Sequence, residues 1–204
     1  LVMALNGYKL DIISHELAKV KESLGPRDFA LSILAPLLAE VGSLVDKKVL
    51  SIAQEHSLSA IIKFHVGHML YKHMEERDKV DMNIIISAPT GELHEFGIMI
   101  SALLCCHYNL KFFYLGANMP GDSLSEAANQ IGADIVIIGV SVVYDTAPGG
   151  ELDKYVEQMK TYLNPATKLW IGGIGNTSTF MDQNNLEVIP TLSTLDHMLS
   201  KLVK

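Results

Sequence analysis

The sequence has little cysteine, and the little it has does not suit disulfide bonding. Cys105 and Cys106, the two cysteines of the 204 residues, are adjacent in a stretch with helical periodicity. Neighbouring side chains in a helix point about 100° apart, which makes them a poor disulfide pair. We interpret them as small core residues of a protein in the reducing cytoplasm. The sequence therefore does not predict a secreted domain held together by disulfides.

Clustered positive charge is also missing. The chain has 16 Lys and Arg against 23 Asp and Glu, giving a formal net charge of −7 at pH 7. Binding to nucleic acid relies on clustered Lys and Arg that neutralise phosphates. We therefore expect this chain to contact DNA only through a separate domain that it does not contain.

Long hydrophobic runs are absent as well. No uninterrupted apolar run reaches the roughly 18 residues of a membrane span, which predicts no membrane partner. The first seven residues lack the basic region and the cleavage pattern of a signal peptide, and cytoplasmic localisation follows as an expectation. The chain also lacks an initiator Met, which predicts that it is a fragment of a longer protein.

Apolar content is what the chain does have: 49% of its residues are hydrophobic and 19% are charged. This is enough to bury a core in one large domain or two small ones. Residues 1–76 show helical periodicity, beginning with Leu10, Ile13, Leu17, Val20 and Leu24. We predict helices over 10–24, from Pro26 with a kink at Pro36, and from near Lys48 to Leu70. Together they form a helical bundle of the four-helix type, or a truncated form of it.

The pattern changes after a charged segment, 74–81, which we interpret as a linker. Five strands are predicted over 83–88, 111–115, 134–141, 168–171 and 186–189. Helices are predicted between and after them over 94–108, 152–163 and 193–203. A further helix ends at 131 and is capped by Asp122 or Ser123. Strands that alternate with helices indicate a parallel sheet, so residues 82–204 should form a doubly wound, flavodoxin-like or Rossmann-like α/β domain.

Three strand ends of this domain carry residues suited to a ligand. Glu92, His94 and Gly97 follow the first strand, Ser141 ends the third, and Gly172 with Gly173 ends the fourth. The carboxyl ends of parallel strands meet at one sheet edge, where α/β proteins bind ligands.

Each of these residues also has a simpler interpretation. Glu92 either holds a metal-ligating His94 by its second ring nitrogen or caps the helix. The serine could be a cap, and the glycines could make a tight turn. The glycines after the fourth strand do not form a dinucleotide fingerprint, and the sequence contains no Walker-type phosphate-binding loop.

Taken together, the motif Glu92-x-His94-x-x-Gly97, Ser141-x-Val143 and Gly172-Gly173 resembles the cobalamin-binding signature D-x-H-x-x-G, S-x-L and G-G. The gaps of 43 residues (98–140) and 28 residues (144–171) also fit. The resemblance implies that His94 replaces the dimethylbenzimidazole of cobalamin as the lower axial ligand of cobalt, with Glu92 as its partner. It further implies that Ser141, Val143, Gly172 and Gly173 line the pocket of the displaced nucleotide tail. A helical bundle ahead of the α/β domain is the arrangement with which this family sandwiches the corrin.

With glutamate at position 92 instead of aspartate, the motif E-x-H-x-x-G resembles that of the CarH/LitR branch. These proteins are light-responsive, cobalamin-dependent transcriptional regulators of MerR type. Their bundles carry a W-x9-E-H motif over the upper face of the corrin. Glu55-His56, next to Ile52, matches E-H, whereas Val45 stands at the tryptophan position. The resemblance makes His56 a candidate upper-face ligand of cobalt. Valine cannot stack on an adenosyl group, so a smaller upper ligand (methyl, hydroxyl or water) stands as an alternative to adenosylcobalamin.

The resemblance implies a non-enzymatic sensory module that forms homo-oligomers and acts through a separate DNA-binding domain. Two alternatives stay open. One is a corrinoid carrier of a methyltransferase system, which the missing tryptophan favours and the E-x-H motif and Glu55-His56 disfavour. The other is a sensor that binds haem or works as an apoprotein antirepressor. The remaining histidines of interest, His65, His68, His73 and His107, are interpreted as residues of the surface or the bundle edge.

Overall fold

The computed structural model describes residues 2–75, 80–144, 149–173 and 185–203. It contains two compact units, Leu1–Arg77 and Asp78–Lys204. The linker is shorter than the predicted 74–81, because a helix continues to Glu75 and a strand begins at Val80. Residues 76–79 of that predicted segment lie outside the described residues.

The first unit is helical, as predicted. Its elements are α1 (Val2–Asn6), α2 (Leu10–Ser23), α3 (Pro26–Asp28), a π-helical segment (Phe29–Leu34), α4 (Ala35–Asp46) and α5 (Ile52–Glu75). Apolar residues at helical spacing form its core, namely Leu5, Ile13, Leu17, Phe29, Leu34, Leu58, Ile62 and Val66. The short α1 is absent from the sequence-based prediction.

A π-helical segment precedes Pro36, where a kink was predicted. Proline has no N–H for the carbonyl of Ser32, four residues earlier. Just before it, the N–H of Ala35 donates to the carbonyl of Ala30, five residues earlier. One widened turn thus accommodates the proline in a continuous helical stretch.

The sequence suggested that helix α5 begins near Lys48, but it begins at Ile52. Lys48 has a φ of 58°, a left-handed conformation that cannot continue a helix. The start is fixed by a reciprocal cap: Ser51 Oγ accepts the N–H of Gln54 at 3.2 Å, and Gln54 Oε1 accepts the N–H of Ser51 at 2.7 Å. Such a capping box satisfies donors that the first turn leaves unpaired.

Within the described residues, the helical stretch Pro26–Asp46 is the one helix that is both long enough and apolar enough to cross a membrane, judged by length and composition. It is not an uninterrupted apolar run, because Pro36 and Glu40 lie within it. The finding is weak evidence for a span, since a signal sequence near the N-terminus or a core helix of a bundle passes the same test.

The second unit is a parallel five-stranded sheet with helices. The strands are β1 (Val80–Pro89), β2 (Leu110–Met119), β3 (Ile135–Gly139), β4 (Lys168–Gly172) and β5 (Leu186–Ile189), in the order β2-β1-β3-β4-β5. The helices are α6 (Phe96–His107), α7 (Gly121–Ile131), α8 (Glu151–Tyr162) and α9 (Leu192–Leu202). This is the strand order of the flavodoxin-like fold, and it confirms the predicted fold class.

Burial explains why these segments become central strands and covering helices. Ile84, Ile85 and Ile86 of β1 are fully buried, as expected for a strand covered on both faces. Helix α6 packs against β1, β2 and β3, and it is buried along almost its whole length. Cys105 lies inside it, and burial raises the pKa of its thiol. The strand order reverses between β1 and β3, so their carboxyl ends open the crevice where such sheets hold ligands.

Several predicted boundaries near that crevice are wrong by a few residues. Helix α6 begins at Phe96, so His94 lies in the preceding loop and not in the first helical turn. Strand β3 ends at Gly139, two residues before Ser141. The N-cap of α7 is Pro120 and not Asp122 or Ser123, because the helix already begins at Gly121. Asp122 Oδ1 accepts the adjacent N–H of Ser123.

Candidate functional site

Glu92 is the centre of the site at the carboxyl end of β1. Its side chain is 2% exposed. Oε1 accepts the backbone N–H of His94 at 2.7 Å, and Oε2 accepts the backbone N–H of Ser141 at 2.7 Å. One carboxylate therefore ties the loop after β1 to the loop after β3.

The same carboxylate orients the imidazole of His94. His94 Nδ1 lies 2.7 Å from Glu92 Oε1 and 3.2 Å from Ser141 Oγ. Because a carboxylate is an acceptor, Nδ1 carries the proton and Nε2 presents its lone pair. The side chain is 65% exposed, and among the described residues Nε2 has no hydrogen-bond partner. This is the arrangement of a histidine prepared to ligate a metal through Nε2.

The ionised form of Glu92 is favoured by its hydrogen bonds. Burial alone would raise the pKa of Glu92, but hydrogen bonds from the backbone and side chains of His94 and Ser141 outweigh burial and lower that pKa below its ordinary value. A charged acceptor makes stronger hydrogen bonds than a neutral one. Glu92 is thus held as an anion that both builds the loop and polarises His94.

We expect Glu92→Gln to destabilise the protein without cofactor. A glutamine side chain has one acceptor oxygen, so the N–H of either His94 or Ser141 loses its partner, at a cost of about 1–3 kcal/mol. The matched control is Glu151→Gln, which removes an exposed ion pair with Lys154 and should change the unfolding free energy by less than about 1 kcal/mol. Urea denaturation at neutral pH measures both. Equal stability of the two variants would contradict the structural role given to Glu92.

Exposed apolar side chains flank His94. Leu93 is 69% exposed, and Val142 and Val143, in the loop that Glu92 ties to His94, are 94% and 75% exposed. Grouped exposed apolar residues commonly mark a binding surface. Within the described residues no group of three or more His, Cys, Asp or Glu could hold a bare metal ion.

A cavity of about 240 Å³ lies between α6, the carboxyl ends of β3 and β4, and the start of α9. The predicted residues Gly97, Gly172 and Gly173 line it, together with Ser101, Gly139 and Thr191. Ser141 and Val143, which were expected in the same pocket, are not among its lining residues. Ser141 instead contacts Glu92 and His94.

The glycines of the cavity have different reasons to be glycine. Gly173 has a φ of 85°, and a Cβ there would lie 1.8 Å from the carbonyl oxygen of Val140. A Cβ at Gly139 would lie 2.5 Å from Cγ2 of Ile98. A Cβ at Gly97 would meet nothing within 4 Å. Packing therefore explains Gly139 and Gly173, whereas Gly97 keeps cavity space open.

The helical unit carries a second carboxylate–histidine pair. His56 Nδ1 lies 2.5 Å from Glu55 Oε2, and Ser59 Oγ donates to Glu55 Oε1 at 2.5 Å. The His56 side chain is 74% exposed. Ser59 belongs to no motif of the sequence, although residues four apart on a helix are neighbours.

Val45 and Ile52 line an open pocket of about 590 Å³ in the helical unit, together with Lys48, Val49 and Gln54.

Of the other histidines, His65 Nε2 lies 3.0 Å from Ser14 Oγ. His73 is buried instead of lying at the surface or bundle edge. The reason is that α5 continues to Glu75 and places His73 on its inward face with Val66 and Leu70.

Comparisons with known proteins concern the helical unit and the chain as a whole. Residues 1–69 match the family described as B12 binding domain. Over 173 residues, or 85% of the chain, the sequence is 25% identical to the HTH-type transcriptional repressor CarH of Myxococcus xanthus. The chain spans 56% of the length of that repressor.

A solved structure with the same fold is the monomethylamine corrinoid protein of Methanosarcina barkeri. The TM-score is 0.71 at 12% sequence identity, with 98% of this chain and 95% of the other covered. At this identity the likeness concerns the fold. The predicted resemblance is therefore confirmed: residues 1–69 match the B12 binding domain family, and the chain is similar to the repressor CarH over 85% of its length.

Proposed function

We propose that the chain binds cobalamin with the nucleotide base displaced and His94 Nε2 as the lower ligand of cobalt. The observation that carries this proposal is the contact between Glu92 Oε1 and His94 Nδ1, which leaves Nε2 exposed as a lone-pair donor. Cobalamin, when bound, supplies a cobalt centre whose axial ligands can be exchanged. The chain's contribution is to hold the imidazole in one tautomer and one orientation.

The surroundings of His94 suit the rest of the cofactor. Leu93, Val142 and Val143 offer exposed apolar surface for the flat side of the corrin. The cavity beside Gly97 is the proposed place for the displaced nucleotide tail. Ser141 has a different proposed role from the one its signature implies: it positions Glu92 and His94.

We propose further that this cofactor makes the chain a sensory module of a cytoplasmic transcriptional regulator. Similarity to CarH over 85% of the chain supports the proposal. A change at the upper face of cobalt, through light or ligand exchange, would alter self-association and so DNA binding by a separate domain. Such a switch requires that the two ligand states bind the two protein states with different affinity. Glu55, His56, Val45 and Ile52 are the residues proposed to face the upper ligand.

A carrier of methyl groups is the second candidate function. The absence of tryptophan at position 45 favours it, because a methyl group needs less space and no stacking partner. The test is whether the reduced, Co(I)-loaded chain accepts a methyl group from a methyl donor and its transferase. Transfer at a catalytically useful rate would favour the carrier, and we propose no catalytic residue in either case.

The experiment that tests the main proposal is an absorption spectrum of the purified chain with adenosyl-, methyl- and hydroxocobalamin, in darkness and after illumination. We expect a base-displaced, histidine-bound spectrum and a response to light or to the upper ligand. Haem serves as a comparison ligand in the same experiment. Cobalamin spectra that the protein leaves identical to those of the free cofactors would refute the proposal.

We predict that Val45→Trp strengthens adenosylcobalamin binding. The indole would enter the open pocket around Val45 and offer an aromatic face to the adenine, worth about 0.5–1.5 kcal/mol or roughly twofold to tenfold in affinity. Val45→Leu is the matched control, since leucine adds apolar volume without a ring. Equilibrium titration in darkness measures both, and equal affinities for the two variants would refute our account of the upper face.

A further inference from the structure

Asn118 lies beside the loop that carries Glu92, although no motif of the sequence includes it. The N–H of Gly91 donates to Asn118 Oδ1 at 2.8 Å, and the N–H of Asn118 donates to the carbonyl oxygen of Glu92 at 3.0 Å. The end of β2 thus contacts two consecutive residues of the loop after β1. These contacts fix the backbone on which the Glu92 side chain turns towards His94.

The local backbone is shaped for this contact. Asn118 has a φ of 56°, in the left-handed region that asparagine tolerates better than most residues. The pairing of β1 with β2 is regular from Asn83 to Ile86 and then shifts register before Ser87 and again before Pro89. Bulges of this kind near the end of a strand redirect side chains beside functional sites. Asparagine at position 118 satisfies both the backbone conformation and the hydrogen bond.

We infer that Asn118 is a positioning residue for the histidine site: by holding Gly91 and Glu92 it keeps the Glu92 carboxylate in place to orient His94. This inference rests on the proposed function, because the orientation of His94 matters for cobalt ligation. Groups outside the ligands themselves change metal affinity about 10- to 100-fold when removed. Asn118 acts one step further out, through the backbone, so an effect of about tenfold is expected.

Three substitutions separate the side-chain contact from the backbone conformation. Asn118→Asp keeps an acceptor for the N–H of Gly91, and aspartate also tolerates a positive φ. Asn118→Gly keeps the backbone conformation and removes the acceptor. Asn109→Gly is the matched control, because Asn109 has a φ of 52° in the turn between α6 and β2, at the opposite end of β2.

Two measurements test the inference. The first is amide exchange of Gly91 in the protein without cofactor, which should be faster in Asn118→Gly only. The second is binding of cob(II)alamin to chain labelled with ¹⁵N-histidine, where nitrogen coupling in the EPR spectrum reports the lower ligand. We expect Asn118→Gly to bind about tenfold more weakly with a smaller histidine-bound fraction, and Asn118→Asp and Asn109→Gly to resemble the unaltered chain.

The outcomes distinguish the inference from the function on which it rests. Unchanged affinity and unchanged ¹⁵N coupling in Asn118→Gly, with normal binding by the unaltered chain, would overturn the positioning role alone. Failure of the unaltered chain to bind cobalamin through a histidine would overturn the proposed function and the inference with it. Loss of the histidine-bound fraction in Asn118→Gly and its retention in Asn118→Asp would support the inference.

Discussion

Replacement of His94 by alanine is expected to abolish the histidine-bound form of the cofactor and to lower cobalamin affinity by more than about 100-fold. Loss of a group that only supports a ligand costs about 10- to 100-fold, so loss of the ligand itself should cost more. The cob(II)alamin EPR spectrum of ¹⁵N-histidine-labelled protein should lose its ¹⁵N coupling. Any cofactor still bound should keep its own base or a water molecule on cobalt.

The fold should tolerate this change. The His94 side chain is 65% exposed, and its Nδ1 is one of several donors around the Glu92 carboxylate. Thermal unfolding of the protein without cofactor should therefore shift little. His197→Ala, which removes an exposed histidine from α9 in the same unit, is the matched control and should bind normally. A His94→Ala protein with an unaltered spectrum and affinity would refute the assignment of the ligand.

The sequence predicted the fold from physical features that survive in the structure. Strands with continuous apolar runs, such as residues 84–86, had to be buried on both faces, and the helices between them had to cover the sheet. Residues at the carboxyl ends of parallel strands had to share one edge, which placed Glu92, His94 and Ser141 together. The contacts among these three residues are present in the structure.

What the sequence did not predict depends on contacts between residues far apart in the chain. Helical periodicity placed His94 in α6, but the N–H of His94 bonds to Glu92 Oε1 and the helix begins only at Phe96. The role of Asn118 arises from bulges in β2, which no local pattern encodes. Likewise, the contact of Ser141 with His94 could not be predicted, because it joins residues 47 positions apart in two different loops. The tail-pocket role that the resemblance implies for Ser141 stays a prediction.

Substitution of Gly97 by leucine is expected to weaken cobalamin binding by about 10- to 100-fold while the fold stays intact. Gly97 lines the cavity of about 240 Å³, and a Cβ there meets no atom within 4 Å. A leucine side chain would occupy space proposed for the nucleotide tail. Overfilling of a packed site costs about 1–3 kcal/mol, which corresponds to roughly 5- to 150-fold in affinity and includes the expected range.

Stability and affinity should move in opposite directions at this position. Glycine in a helix is about 0.5–1 kcal/mol less stable than alanine, so Gly97→Ala should raise the unfolding free energy and lower affinity only slightly. Gly42→Leu in α4 is the matched control, because a Cβ there also meets nothing within 4 Å and the residue lies outside the cavity. If Gly97 served only the packing of α6, Gly97→Leu would unfold more easily than Gly42→Leu and bind equally well per folded molecule. A stable Gly97→Leu protein with weak cobalamin binding would instead identify the cavity as part of the cofactor site.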